Sequence, residues 1–154
     1  MRAVNAWSSS YYWIKSIYGP QLAWKGGSTG NSGFFHSRQE RNPWLMIELN
    51  RPAVITAVTI INRKDCCGER LSRLEIRGGM KYDLRNQKLG ELKRPGRTNG
   101  VHRIPLTRAT KAKYLMFQLE GGSTMALQVN GIRLNQIRGI NLRYDIQSDF
   151  LYRV

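Results

Sequence analysis

Apolar residues in this chain alternate with polar ones in short segments, and this period of two strongly limits the possible fold. Leu45, Ile47 and Leu49 alternate in the stretch WLMIEL, and Leu74 and Ile76 do so in SRLEIR. The runs VITAVTII, YLMFQLE and ALQVN are also typical of strands, and Gly, Pro and Asn separate these segments. Strand side chains point alternately to two faces, whereas an amphipathic helix needs a period near 3.6, which no segment shows. The sequence therefore predicts one antiparallel all-β domain, a sandwich or a barrel.

The C-terminal stretch INLRYDIQSDFLYRV continues the alternation. As one unbroken strand it would span about 50 Å at ~3.3 Å per residue, which is long for a strand. We therefore predict a hairpin that turns at QSD. The predicted division is a main domain over residues 1–135 and a C-terminal β extension over residues 136–154. This extension packs on the same domain or on a neighbouring subunit.

The chain is strongly basic, with 25 Lys and Arg against 10 Asp and Glu and a net charge of +15 over 154 residues. Ten of the cations lie between Lys81 and Lys113, against only Asp83 and Glu91. Such an excess attracts polyanions: sulfated glycans, anionic membrane surfaces or nucleic acid. Nucleic acid is disfavoured because only Tyr82 supplies a stacking ring within this basic strip. No segment has the length of a membrane span, and the N-terminus lacks a signal-peptide core, which predicts a cytosolic protein or a trimmed mature domain.

Two adjacent cysteines, Cys66 and Cys67, stand in the stretch NRKDCCGER and are the only cysteines in the chain. A metal site would need more ligands, and only His36 and His102 could contribute imidazoles. A nucleophilic thiol would need a base, which flanking arginines do not supply. The third alternative is a disulfide between neighbours, a strained ring of the kind that persists where function requires it.

Arg63, Asp65 and Arg70 flank the cysteine pair and point to recognition rather than bond cleavage. Two forked guanidinium groups can donate paired hydrogen bonds to vicinal oxygens, such as those of a sugar ring. A carboxylate can hold one fork in place. A flat disulfide could then contact the apolar face of the sugar.

The stretch HSRQERNPWLMIELNRPAVITAVTIINRKDCCGER resembles the signature of the F-type lectin (fucolectin) family. That signature is a His, a fixed interval, Arg-x-Asp, four residues and Arg. Here His36 is followed by 26 residues and then by Arg63, Asp65, the cysteine pair and Arg70. The resemblance covers roughly residues 3 to 135. It implies the family's discoidin-like β-jelly roll, with the site among loops at one end of the sandwich.

The resemblance also implies a role for each matching residue. His36, Arg63 and Arg70 would hydrogen-bond an L-fucose-like sugar, and Asp65 would orient the basic residues. Cys66 and Cys67 would form a vicinal disulfide against the sugar ring. Fucose has a C6 methyl group that needs an apolar pocket, for which the candidates are Phe35 and the YYW aromatics, chiefly Tyr12 and Trp13.

The chain departs from the family pattern at its calcium loop and at one disulfide. QLAWKGGSTGNSG replaces the family's Asn-Ala-x-Asp-Gly-Asn, and Leu127-Gln128 replaces a Cys-Glu pair. Because calcium prefers carboxylate ligands, we expect no cofactor, or at most a calcium ion held weakly by backbone carbonyls. Phe34 and Leu127 occupy the positions of two family cysteines, and we predict that these two side chains touch.

The sequence thus predicts a non-enzymatic, extracellular or secreted lectin for fucosylated glycans, acting as a homo-oligomer or tandem repeat for avidity. Its basic charge is unusual for this family but frequent in invertebrate sperm acrosomal proteins. Bivalve sperm bindins resemble F-type lectins, and this resemblance implies sperm–egg coat adhesion and an acrosomal location. Innate-immune glycan recognition is the alternative within the family. A module that binds polyanions through the basic strip and has lost sugar specificity is the alternative outside it.

Overall fold

The computed structural model describes residues 1–137, which form an antiparallel β domain, as the alternation predicts. The strands are β1 (Ala3–Ser8), β2 (Phe35–His36), β3 (Glu40–Arg41), β4 (Trp44–Ile61), β5 (Leu74–Gly79), β6 (Lys88–Leu92), β7 (Val101–Leu119), β8 (Thr124–Met125), β9 (Gln128–Val129) and β10 (Gly131–Ile137). Helical structure in this part of the chain is limited to α1 (Lys15–Tyr18) and two 3-10 turns, Pro20–Leu22 and Gly68–Arg70.

The main sheet has six strands in the order β1-β4-β7-β5-β6, and β10 also pairs with β4. Two short ribbons, β2 with β9 and β3 with β8, complete the fold. All of these pairs are antiparallel. The predicted discoidin-like β-sandwich is confirmed.

The strand β4 joins two segments that the sequence suggested were separate. It runs for 18 residues through Pro52. Its pairing with β7 shifts between Glu48 and Ala53, so Pro52 falls in a bulge. A proline has no N–H to donate, and an unpaired bulge accommodates it without loss of a ladder hydrogen bond. The first half of β4 pairs with β1 and the second half with β10, so one strand links both parts of the sheet.

The core is formed by the inward-facing side chains of these strands, which are the alternating residues of the sequence pattern. Its largest members are completely or almost completely buried and include Phe35, Phe117, Leu45, Ile55 and Leu74. The ribbon of β2 and β9 lies over this core, with Phe35 opposite Val129 and His36 opposite Gln128. Alternation along β2 therefore buries Phe35 and turns His36 to the other side.

The strand β10 continues through Gln136 and Ile137, which pair with Ile55 and Val54. It therefore crosses the predicted boundary after residue 135. The predicted hairpin lies in residues 138–154, outside the described residues, and stays a prediction.

Candidate functional site

A cleft of about 990 Å³ opens where three loop segments meet. The first segment carries aromatic residues, the second follows β2, and the third holds the cysteine pair. Its lining residues are Tyr12, Trp13, Tyr18, Asn31, His36, Arg38, Gln39, Arg63, Cys66, Cys67 and Arg70. The structure thus brings together in one concave surface the histidine, the two arginines and the cysteine pair that the sequence singled out.

Arg63 is held by Asp65 and by an aromatic ring. Its Nε donates to Asp65 Oδ1 at 2.7 Å and its Nη2 donates to Oδ2 at 3.1 Å. These hydrogen bonds lower the pKa of the Asp65 carboxyl below its ordinary value. The guanidinium carbon also lies 5.1 Å from the centroid of the Phe34 ring, in cation–π geometry. Asp65 does not line the cleft, so its role is to orient Arg63, and the Arg63 Nη1 group is left to face inward.

Gln128 contacts His36, Arg63 and Arg70 from the buried side of the cleft. The sequence did not indicate this role. Its side chain is buried, with 1% exposed. Because guanidinium nitrogens only donate, the amide oxygen faces them and accepts from Arg70 Nη1 at 3.0 Å and Arg63 Nη1 at 3.3 Å. The same oxygen lies 2.8 Å from His36 Nε2. One buried neutral amide therefore fixes the spacing of His36, Arg63 and Arg70.

Both ring nitrogens of His36 face acceptors, since Nδ1 lies 2.5 Å from the carbonyl oxygen of Ser37. This arrangement favours the protonated imidazolium. Burial opposes it more strongly, and the neighbouring Arg63 and Arg70 charges add to that opposition. The pKa of His36 consequently lies below its ordinary value of 6.5. The neutral ring is therefore favoured near pH 7, with one N–H for its two neighbouring acceptors, the Ser37 carbonyl and the Gln128 oxygen.

Cys66 and Cys67 are bonded to each other, so the predicted vicinal disulfide is confirmed. Both cysteines line the cleft between Arg63 and Arg70. Cys67 adopts a left-handed backbone with φ of 64°, which few non-glycine residues adopt. The two sulfurs therefore present a small apolar surface beside the guanidinium groups.

A second layer of residues holds the cysteine loop in position. The buried Asn62 side chain donates to the carbonyl oxygens of Gly68 at 2.9 Å and Arg97 at 3.0 Å. Gly68 donates its N–H to Thr98 Oγ1 at 3.0 Å. A Cβ atom on Gly68 would lie 2.0 Å from the Thr98 nitrogen, so only glycine fits this close approach. The loop after β6 thus supports the site although it does not line the cleft.

The predicted aromatic contacts divide into two groups. Tyr12 and Trp13 line the cleft, with 49% and 71% of their surfaces exposed. The Tyr12 N–H donates to the His36 carbonyl at 2.7 Å, and the two rings lie 5.1 Å apart. Phe35 does not reach the cleft, because it is fully buried in the core. The phenylalanine on the site side is its neighbour Phe34.

Phe34 and Leu127, which we predicted to touch, pack in different surroundings. Leu127 belongs to the core cluster, whereas Phe34 packs outside it, against Tyr18 and beneath Arg63. The register that pairs His36 with Gln128 brings Leu127 opposite Ser37, on the face of β2 away from Phe34. The prediction came from the family resemblance alone, in which both residues stand at the positions of cysteines.

The segment that corresponds to the family's calcium loop lacks acidic donors. Residues 21–33 contain no Asp or Glu, and Trp24 packs against the core instead. Asn130 spans this loop and donates to the Ser28 carbonyl at 2.6 Å. Among residues 1–137, no cluster of three His, Cys, Asp or Glu side chains could hold a metal ion. These residues do not fit the carboxylate-rich coordination that calcium prefers.

Several cations of the basic strip are paired with acidic side chains. Lys88 Nζ lies 2.8 Å from Glu91 and 3.5 Å from Glu75, and Lys113 lies 3.4 Å from Glu48. Further pairs join Arg85 to Asp83 and Lys93 to Glu91. The strip is therefore less positive than its composition suggests, and it does not line the cleft. In residues 1–137, no helix has the length and apolarity that a membrane crossing requires.

The family model for the F5/8 type C domain matches residues 3–130. This chain belongs to that family. It is 52% identical over 44 residues to the fucolectin of Anguilla anguilla, which is 29% of this chain and 28% of the eel protein. A crystal structure of an f-lectin (fucolectin) from serum of the striped bass, Morone saxatilis, superposes with a TM-score of 0.75 at 25% identity, over 89% of this chain and 47% of that one.

A fucose binding module of Streptococcus pneumoniae shares the fold, with a TM-score of 0.67 at 18% identity over 86% of this chain and 91% of the module. The family match and the likenesses to the eel and bass fucolectins confirm the F-type lectin domain that the signature around His36 indicated. The matched part spans less than a third of the eel fucolectin and about half of the bass lectin chain.

Proposed function

We propose that this F-type lectin domain is a non-catalytic module that binds a terminal L-fucose or a related sugar in the cleft. The observation that carries the proposal is the convergence of His36, Arg63 and Arg70 on one buried amide, beside a disulfide wall. No carboxylate lines the cleft in the part of the chain that the structure describes, so the pair of acids typical of glycoside hydrolysis is missing there. The arrangement suits capture of a sugar.

Each part of the cleft matches a feature of such a sugar. The guanidinium groups of Arg63 and Arg70 donate to vicinal hydroxyls or to the ring oxygen. His36 Nε2, which lies 2.8 Å from the Gln128 oxygen, exchanges that partner for a sugar hydroxyl as the third hydrogen bond. The sulfurs of Cys66 and Cys67 contact the apolar face of the ring. Since Gln128 already fixes the three polar groups, little conformational entropy is lost when the sugar binds.

Trp13 provides the apolar contact for the C6 methyl group or for a following sugar. It is the most exposed large apolar side chain among the described residues, and it lies at the cleft. Its φ of 52° is a left-handed conformation that costs free energy in a bulky residue. Exposure and strain together favour a functional role. We expect Trp13→Ala to weaken sugar binding about twofold to tenfold, because an aromatic contact is worth roughly 0.5–1.5 kcal/mol.

Titration calorimetry with L-fucose at low and high salt tests the proposal, with Arg70→Ala beside the native protein. We expect saturable binding that changes little with salt and is lost in Arg70→Ala, since a neutral sugar is held by hydrogen bonds. The matched control is Arg73→Ala, which removes an exposed arginine three positions away that does not line the cleft. Absence of heat at millimolar sugar, or equal loss in both variants, would overturn the proposal.

The biological role proposed for the domain is adhesion outside the cell, with sperm–egg coat attachment as the specific case. The striped bass relative comes from serum, and a basic lectin suits an anionic glycan coat. Single lectin sites bind weakly, so we propose that the domain acts as an oligomer or in tandem. Adhesion of beads coated with the domain to egg envelopes, and its release by free fucose, tests this role. Adhesion that fucose does not release would contradict it.

A further inference from the structure

The cleft carries more positive charge than capture of a neutral sugar requires. Arg38, Arg63 and Arg70 all line it. Arg63 is neutralised by Asp65, with N–O distances of 2.7 and 3.1 Å. Within residues 1–137, neither Arg38 nor Arg70 forms a salt bridge. Two guanidinium charges therefore face the cleft without a carboxylate partner.

The residue beneath these charges does not compensate for them. Gln128 accepts from Arg63 and Arg70 through a neutral amide oxygen. A glutamate at the same place would bring a negative charge within about 3 Å of both groups, which strongly reduces the local potential. With glutamine, the positive potential extends into the cleft, where a ligand meets it. The choice of an amide thus keeps the site attractive to anions.

Arg38 is placed to receive an anionic group next to the bound sugar. It follows His36 by two residues, and both residues line the cleft. Its backbone N–H donates to Ser10 Oγ at 2.9 Å, which fixes the start of the side chain. The side chain itself is exposed at the cleft. It can therefore reach a substituent that projects from the sugar held by His36.

We propose that the preferred ligand is an anionic fucosylated glycan, with a sulfate ester or a carboxylate on or beside the fucose, and that Arg38 binds that group. This inference rests on the function proposed above. Sulfate and carboxylate both accept paired hydrogen bonds from a guanidinium fork, so the chemistry that Arg38 recognises is common to both. Because Arg38 is exposed, its contribution is modest and depends on salt.

Titration calorimetry with three oligosaccharides of equal length tests this inference: a neutral fucosylated one, its sulfated form and its sialylated form. At low salt we expect the better anionic form to bind about threefold to tenfold tighter than the neutral one. High salt should remove most of this advantage, while neutral binding changes little. Whichever of the sulfated and sialylated forms binds with the higher affinity identifies the anionic group that the site prefers.

Variants assign the effect to Arg38. In Arg38→Gln the ratio of anionic to neutral affinity should fall to about one, whereas the control Arg41→Gln, an exposed arginine on β3 that does not line the cleft, should keep the ratio. Gln128→Glu should also lower the ratio. Equal affinities in the native protein, or a ratio unchanged in Arg38→Gln, would overturn the inference.

The two proposals fail in different ways. If the neutral oligosaccharide binds and the anionic forms bind no better, the lectin function stands and the anionic preference is wrong. If only the anionic forms bind, and Arg38→Gln abolishes that binding, the fucose site is wrong and the anionic preference stands. If no form binds, both are wrong.

Discussion

Asn62 ties together the loops that carry the site, and its removal is a sharp test of how the site is held. The side chain is almost completely buried, with 1% exposed. It donates to the carbonyl oxygens of Gly68 at 2.9 Å and Arg97 at 3.0 Å, and it accepts from the Arg63 N–H at 2.8 Å. In Asn62→Ala all three backbone groups lose this partner.

The expected cost follows from these three hydrogen bonds. A buried hydrogen bond contributes about 1 kcal/mol, so Asn62→Ala should lower the free energy of unfolding by roughly 3 kcal/mol. For a chain of this length, that loss corresponds to a decrease in Tm of about 6–12 °C. Affinity for the sugar should fall as well, because Arg63 directly follows Asn62 and loses its backbone anchor.

Thermal and urea denaturation measure the stability, and calorimetric titration measures the affinity. The control is Asn5→Ala, which removes an exposed asparagine whose side chain makes one hydrogen bond, to Glu48 at 2.9 Å. We expect that control to stay within about 0.5 kcal/mol of the native protein. A decrease in Tm of less than about 2 °C for Asn62→Ala would refute the view that Asn62 holds the site loops together. An equal decrease in both variants would refute it as well.

Three further predictions concern pH, the disulfide and calcium. Burial lowers the pKa of His36 and of His102 below 6.5, so the unfolded chain binds more protons than the folded chain just below that pH. The free energy of unfolding should therefore decrease as the pH falls from about 7.5 to about 5.5. Urea titrations that show an increase over this range would contradict the prediction. Replacement of both Cys66 and Cys67 by Ser should weaken fucose binding several-fold in calorimetry, because the apolar surface of the disulfide is lost. The far-UV circular dichroism should stay native, because the hydrogen bonds of Asn62 and Gly68 that hold the loop remain. Unchanged affinity would argue against a contact between the disulfide and the sugar. EDTA should leave Tm unchanged, since the described residues offer no calcium-like cluster, and a Tm that rises on calcium addition would refute this.

Much of the fold and the outline of the site could be predicted from the sequence. The period-two alternation indicated an antiparallel all-β domain, a sandwich or a barrel, because inward and outward residues of a strand must differ in polarity. The family resemblance then indicated the sandwich. The spacing from His36 to Arg63, Asp65 and Arg70 indicated a site of three basic groups, and the structure brings the three basic side chains to one cleft. The adjacent cysteines were identified as a disulfide only through the family resemblance.

Tertiary structure alone decided which neighbours support that site. The choice between Phe34 and Phe35 depended on which face of β2 turned to the core, and the hydrophobic pattern of two adjacent phenylalanines does not distinguish them. Gln128 reaches His36 across 92 positions of sequence, through the register of β2 and β9. Arg38, for which we propose anion binding, lies two residues after His36 of the same ribbon and lines the cleft. Motif spacing within one segment is a local property of the chain, whereas these contacts depend on how distant strands pair, and pairing is fixed by the packing of the whole core.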